Sequence, residues 1–217
     1  MDATLTDGRF CSQVIQAGPY RLDFSRKTYV MGILNVTPDS FSDGGKYNTL
    51  AKAVDHAARM VAEGADIIDI GGESPRPGYT PVPEEEEMER VLPVVEALAS
   101  RFEVPLSIDT YKARVAREAI RRGAHIINDV WGAKADAEMA RVAAETGAPI
   151  VLMHNRPEAT YRHVIRDMLA DLYESISLVR QAGVKEEKII LDPGIGFGKT
   201  YEHNLIVMRH LAKLVAL

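Results

Sequence analysis

From residue 29 onward, short runs of Val, Ile and Leu alternate with longer segments in which apolar residues recur every three or four positions. That alternation predicts parallel strands joined by crossover helices, an α/β chain. Strands are expected at 29–34, 66–70, 104–108, 125–128, 149–153 and 188–191, and helices at 50–63, 84–101, 112–122, 136–146, 162–182 and 202–214. In the second helix Val91, Leu92, Val95 and Leu98 share one face, which should pack on the sheet. The acidic run 84–87 opens the same helix, where the N-terminal end of the dipole favours negative charge, so it reads as structural. Ahead of this pattern, two β-prone runs at 10–16 and 20–24 flank Ala17-Gly18-Pro19 and predict a hairpin.

An open doubly wound sheet and a closed (β/α)8 barrel share this periodicity. The loops separate them. Each strand runs into polar residues at its C-terminal end: Asn35, Asp69 with Glu73, Asp109, Asn128 with Asp129, His154 and Asp192. A barrel gathers its chemistry from nearly all strand ends, whereas an open sheet concentrates it at one switch point, so the barrel is favoured. Eight units normally take about 250 residues. The 217 residues supply six, so the chain reads as a single domain (1–217) with an N-terminal hairpin extension (1–28) and two barrel strands missing.

Composition narrows the function. With 46% hydrophobic and 26% charged residues the chain can bury a substantial core, and no apolar run reaches the ~20 residues of a membrane span. A net charge of −5 without basic runs argues against nucleic acid as a partner. The single cysteine, Cys11, cannot form an internal disulfide, and the polar N-terminus does not resemble a signal peptide, so a cytoplasmic location is expected.

The candidate chemistry lies in the loops. Residues 32–45, G-I-L-N-V-T-P-D-S-F-S-D-G-G, are too long for a tight connection and suit a segment that folds over a ligand. Residues 71–78, G-G-E-S-P-R-P-G, surround the single cation Arg76 with glycines and prolines, an arrangement suited to gripping an anion. Asp109, Asn128 and Asp192 each end an apolar run and should face one pocket. A carboxylate takes two parallel hydrogen bonds from adjacent N–H donors of a flat heterocycle, and an asparagine amide serves a mixed edge. His154 could act as a general acid or base, or be a hydrogen-bonded structural residue. Neither zinc ligation nor a nucleophilic triad is supported around it.

Taken together, M-G-I-L-N-V-T-P-D-S-F-S-D-G-G, G-G-E-S-P-R-P-G, S-I-D-T-Y-K, I-I-N-D and L-D-P-G-I-G-F resemble, in order, the dihydropteroate synthase family of pterin-binding enzymes, over residues 29–217. The resemblance implies a TIM-type barrel and a transferase of folate synthesis. The reaction joins 6-hydroxymethyl-7,8-dihydropterin diphosphate to p-aminobenzoate, giving 7,8-dihydropteroate and pyrophosphate. It also implies that Asp109, Asn128 and Asp192 hold the pterin, with Met153 and Phe197 as its walls. Asn35 would meet Mg²⁺ or the diphosphate. Phe41, Asp43, Ser74, Pro75, Arg76 and Pro77 belong to the loops around p-aminobenzoate, with Asn35, Asp43 and Arg76 catalytic. The implied chemistry is dissociative: diphosphate leaves, and the arylamine attacks a pterin methyl cation that Asp43 could stabilise. Family members are commonly homodimers and sulfonamide targets.

Two departures stand out. Proline occupies position 75 where the family usually has threonine, removing a hydroxyl and a backbone N–H, so contacts to p-aminobenzoate or sulfonamides should differ. The family's later serine-arginine-lysine and arginine-x-histidine segments are absent from the 217 residues. A chain complete at Leu217 is therefore expected to be inactive or nearly so. Other readings are a pterin-binding methyltetrahydrofolate methyltransferase domain, which the first two loops disfavour, and an inactive pterin-binding fragment.

Overall fold

The computed structural model describes residues 14–37, 46–73, 81–215 and 217. Two strands, β1 (Val14–Ala17) and β2 (Tyr20–Asp23), form an antiparallel hairpin turned at Gly18-Pro19. Six further strands follow: β3 (Met31–Asn35), β4 (Ile67–Gly71), β5 (Leu106–Asp109), β6 (Ile126–Asp129), β7 (Ile150–Met153) and β8 (Ile189–Asp192). Between and after them run α1 (Lys46–Ala62), α2 (Glu84–Arg101), α3 (Ala113–Arg121), α4 (Met139–Thr146), α5 (Val164–Gln181), α6 (Tyr201–Arg209) and α7 (Leu211–Leu214).

The sheet order is β3-β4-β5-β6-β7-β8, every neighbour consecutive in sequence and every pairing parallel. A doubly wound sheet must reverse its order at a switch point. This one never reverses, and its helices lie on one face. Successive strand residues point to opposite faces, and the two sets pack differently. Leu34, Ile68, Ile70, Leu106, Ile108, Ile127, Ile150 and Leu152 are buried with helix residues such as Val91, Val95, Leu98, Val115 and Val179. On the other face, the lower positions Ile67, Ile126 and Val151 pack with Ile15, Ala17 and Leu22 of the hairpin. The hairpin therefore closes the end of the sheet opposite the strand C-termini. Helices outside and side chains inside make this the barrel arrangement.

Local chemistry explains most boundaries. Helix α2 begins after Pro83 and carries Glu84 to Glu87 in its first turn. Glu84 and Glu85 also meet Arg114, while Glu87 is buried. Helix α4 stops at Gly147 in the left-handed region, φ 66°. The strands start one to two residues later than the apolar runs suggest and extend one residue further, except β7, because the residue following each run still pairs in the ladder. The helix expected across 202–214 is two helices. His210 is the C-cap of α6 at φ −117° and ψ 19°, so the chain turns there before α7. Of the hairpin's expected first strand, residues 10–13 lie outside the described residues.

Candidate active site

The ladder register fixes which side chains share the inner face. Asn35, Gly71, Asp109, Asn128, Val151 and Ile190 are successive partners across the sheet. Asn35, Asp109 and Asn128 therefore stand in one row at the C-terminal rim. One layer further out, Met153 and Asp192 are partners on β7 and β8 and face the same side. One layer down, Asp69 and Ser107 are partners beneath that row. Asp129 is the next residue along β6 from Asn128 and points the other way. It is buried and accepts from the backbone N–H groups of Trp131 and Ala133, both at 2.8 Å, shaping the loop after β6. Burial lifts its pKa to about 6 against those hydrogen bonds.

Asp69 and Asp109 make the inner face acidic. Burial raises the pKa of Asp69, although Ser107 and Asn128 oppose the shift. The pKa of Asp109 lies well above the ordinary carboxylate range, first through burial and then through the charges of Asp69, Glu87, Asp129 and Glu73. Two carboxyls so placed resist carrying two charges together. Asn128 Nδ2 donates to Asp69 Oδ2 at 2.9 Å. Asp69 Oδ1 and Ser107 Oγ are buried without a hydrogen-bond partner of ordinary geometry among the described residues. Gly71 keeps this row uncrowded: a Cβ there would lie 3.2 Å from Asp109 Oδ2, so that the carboxylate would have to shift slightly.

The other wall is the loop after β8. Asp192 Oδ1 accepts from Gly194 N–H at 2.7 Å, leaving Oδ2 as its less engaged oxygen. Lys199 closes the loop: its Nζ donates to Gly194 O at 2.8 Å and Phe197 O at 3.0 Å and meets His154 Nδ1 at 2.9 Å. An ammonium only donates, so Nδ1 is the acceptor and the ring proton sits on Nε2, which faces Asp171 Oδ2 at 3.1 Å. Arg156 Nε donates to the same oxygen at 2.6 Å. Burial, then the Lys199 charge, depress His154 to about 4 against the pull of Asp171. Burial likewise lowers Lys199 to about 8, with Asp192 opposing. Both ring nitrogens of His154 thus have partners within the fold, which supports its structural reading. Thr200 then starts α6 with a capping box: its Oγ1 accepts from His203 N, and its own N–H donates to His203 Nδ1.

At the base of the 74–81 connection, Lys112 Nζ donates to Glu73 Oε2 at 2.6 Å and pairs with the buried Glu87. Glu73 also accepts from Tyr111 OH at 3.0 Å and from Val82 N–H at 3.1 Å, joining the two ends of that connection. Lys112, Arg156, Asp171 and Lys199 were not singled out from the sequence, and Glu87 was read only as part of a structural acidic run. Most come from helices or loop interiors rather than strand ends. Lys199 alone carries a usable signal, as the first cation after G-I-G-F-G.

Residues 31–217 match the family model described as pterin binding enzyme. The dihydropteroate synthase of Bacillus subtilis is 61% identical over 200 residues, spanning 92% of this chain and 70% of that protein. The chain belongs to the dihydropteroate synthase family. The Xanthomonas albilineans dihydropteroate synthase with 4-aminobenzoic acid superimposes at a TM-score of 0.90 with 42% identity, covering 95% of this chain and 75% of that one. The enzyme of that organism in complex with 7,8-dihydropteroate gives 0.85 at 40% identity, covering 94% and 74%. These likenesses establish a dihydropteroate synthase barrel, of which the described residues supply six strand-helix units and the hairpin.

Of the site residues expected from the sequence, this dihydropteroate synthase chain brings Asn35, Asp109, Asn128, Met153 and Asp192 onto one inner rim, with Phe197 in the adjoining loop. Phe41, Asp43, Ser74, Pro75, Arg76 and Pro77 lie outside the described residues. Among the described residues no group of three or more His, Cys, Asp and Glu could hold a metal ion. A Mg²⁺ that kept most of its waters and took one amide oxygen from Asn35 remains compatible with that donor set. No helix among the described residues is long and apolar enough to cross a membrane.

Proposed function

We propose that the chain works as a dihydropteroate synthase, condensing 6-hydroxymethyl-7,8-dihydropterin diphosphate with p-aminobenzoate to give 7,8-dihydropteroate and pyrophosphate. Residues 1–217 act as one barrel domain in this reading. Its principal support is the inner rim: Asp109 and Asn128 are register partners in one row, and Asp192 faces the same side one layer above.

The pterin lies among those three residues. The free oxygen of Asp192 takes ring N–H donors, Asn128 serves a mixed edge, and Met153 and Phe197 form the walls. Burial and the neighbouring carboxylates raise the pKa of Asp109, which favours its protonated form more than in water and suits a group facing a polar heterocycle. Asn35 meets the diphosphate, and Mg²⁺, when bound there with that diphosphate, supplies charge neutralisation for the leaving group. Asp43 stabilises the cation left on the pterin methylene while p-aminobenzoate attacks it. Phe41, Ser74, Pro75, Arg76 and Pro77 frame the arylamine, with Arg76 attracting its carboxylate. Catalysis is then chiefly electrostatic. Sulfonamides compete for the arylamine position, and the protein acts as a cytoplasmic homodimer.

Pyrophosphate release by the purified protein, measured with both substrates present, tests this reading. One pyrophosphate should appear per dihydropteroate, and Asp192→Ala should lower kcat/KM by at least about 100-fold. Methyl transfer from methyltetrahydrofolate without pyrophosphate would instead assign the chain to the methyltransferase barrels. Pterin binding without turnover would make it a binding fragment.

A further inference from the structure

Lys199 belongs to no role derived so far, yet its amino group is fully committed. An ammonium has three hydrogens to donate, and Lys199 Nζ has three close acceptors: Gly194 O at 2.8 Å, His154 Nδ1 at 2.9 Å and Phe197 O at 3.0 Å. Two belong to the 193–198 loop itself, and the third belongs to the residue following β7. The loop folds back around its own lysine and is tied through it to the neighbouring strand.

That neighbour is itself held. His154 is 2% exposed, and its second nitrogen faces Asp171 of α5, which also accepts from Arg156. The backbone fits as closely: a Cβ on Gly194 would lie 2.0 Å from His154 O. Consequences for the site follow from what the loop carries. Gly194 N–H holds Asp192 Oδ1, and the Phe197 carbonyl is one of the three acceptors. Movement of the lysine would therefore reach both a pterin-facing carboxylate and a wall of the slot.

We infer that Lys199 is a positioning residue for pterin binding, an internal cation on which the 193–198 loop is folded so that Asp192 and Phe197 are held at the pterin slot. This rests on the function proposed above. Lys199 touches no reacting atom in this role; it acts through Asp192 and Phe197. Its loss should appear in the affinity for the pterin, not in the arylamine affinity or the rate of the bound complex.

The test is steady-state kinetics of Lys199→Met, which keeps an unbranched side chain one atom shorter and removes the charge and its donors. Loss of charge-assisted hydrogen bonds to the loop should raise KM for the pterin diphosphate about 10-fold to 100-fold. The KM for p-aminobenzoate and kcat should stay within about threefold. Hydrogen exchange at the amides of 194–198 should quicken in the variant. A Lys199→Cys variant in a Cys11→Ser background, aminoethylated to rebuild an ammonium at the same reach, should recover pterin KM. If Lys199→Met does not fold, Lys199→Gln is read by the same measurements. An unchanged pterin KM, or an equal loss in both KM values and kcat, overturns the inference. A wild-type protein that releases no pyrophosphate would overturn the functional reading instead, while loop exchange in wild type and variant would still report on the cradle.

Discussion

Asn128 on β6 donates its amide hydrogen to Asp69 on β4, reaching past β5 and the Asp109 side chain that stands between them on the inner face. With Nδ2 donating to Asp69 Oδ2, the amide oxygen of Asn128 is turned away from Asp69. Asp69→Asn removes that constraint, because the new amide can donate to Asn128 and turn it over. Pterin affinity should fall about 10-fold to 100-fold, the worth of a hydrogen bond to a charged group. Calorimetric titration with 6-hydroxymethylpterin checks this; an unchanged Kd would show that Asn128 is oriented by something else.

Gly194 and Gly147 both sit in the left-handed region, at φ 64° and 66°, and they separate backbone strain from crowding. A Cβ on Gly147 meets nothing within 4 Å, while one on Gly194 meets the His154 carbonyl. Gly147→Ala should cost about 1–2 kcal/mol, the left-handed penalty alone. Gly194→Ala should cost more, because the loop must also lift from residue 154, and it should weaken pterin binding as well. Urea denaturation of both variants with one binding titration decides between equal and unequal effects.

The strand-helix alternation and the inner rim were legible because each rests on a local signal. Strand cores are apolar on the helix-facing side whatever the sequence context, and the residue that ends each run is the one placed at the C-terminal rim. Asp109, Asn128 and Asp192 could be found that way. Lys199 with His154, and Lys112 with Glu87, could not, since each pair joins residues separated by 45 and 25 positions. Hydropathy places Glu87 and Asp171 among solvated helix charges, and only tertiary packing shows their partners. The break at His210 was missed for a related reason. Apolar residues continue on both sides of it, and the pattern holds no glycine or proline to mark the turn.

Lys112 stands between Glu73 and Glu87, and Glu87 is 1% exposed. Burial works against the lysine charge, but the two carboxylates outweigh it and raise its pKa. Lys112→Met would strand Glu87 in the interior, a loss of about 3–5 kcal/mol for a broken buried pair. Adding Glu87→Leu should recover most of that loss, because a well-packed apolar pair avoids the desolvation penalty. Chemical denaturation of the single and double variants gives the coupling. A double variant no more stable than Lys112→Met would mean that Glu73 is the important partner.

His154 gives the fold a defined response to acid. Its pKa is about 4 in the native protein against 6.5 in the released chain, so between those values the unfolded state binds more protons. The stabilisation is present in full above pH 6.5 and is lost as pH falls through about 4. The full shift corresponds to about 3 kcal/mol, and screening through the partly exposed Arg156 and Lys199 reduces it to about 2 kcal/mol. His154→Asn keeps a polar group there but cannot titrate. It should be less stable than wild type at pH 7.5, and the difference should narrow steadily towards pH 4. Parallel stability curves for the two proteins over that range would show instead that the native imidazole titrates normally, and that Lys199 does not hold it in the neutral form.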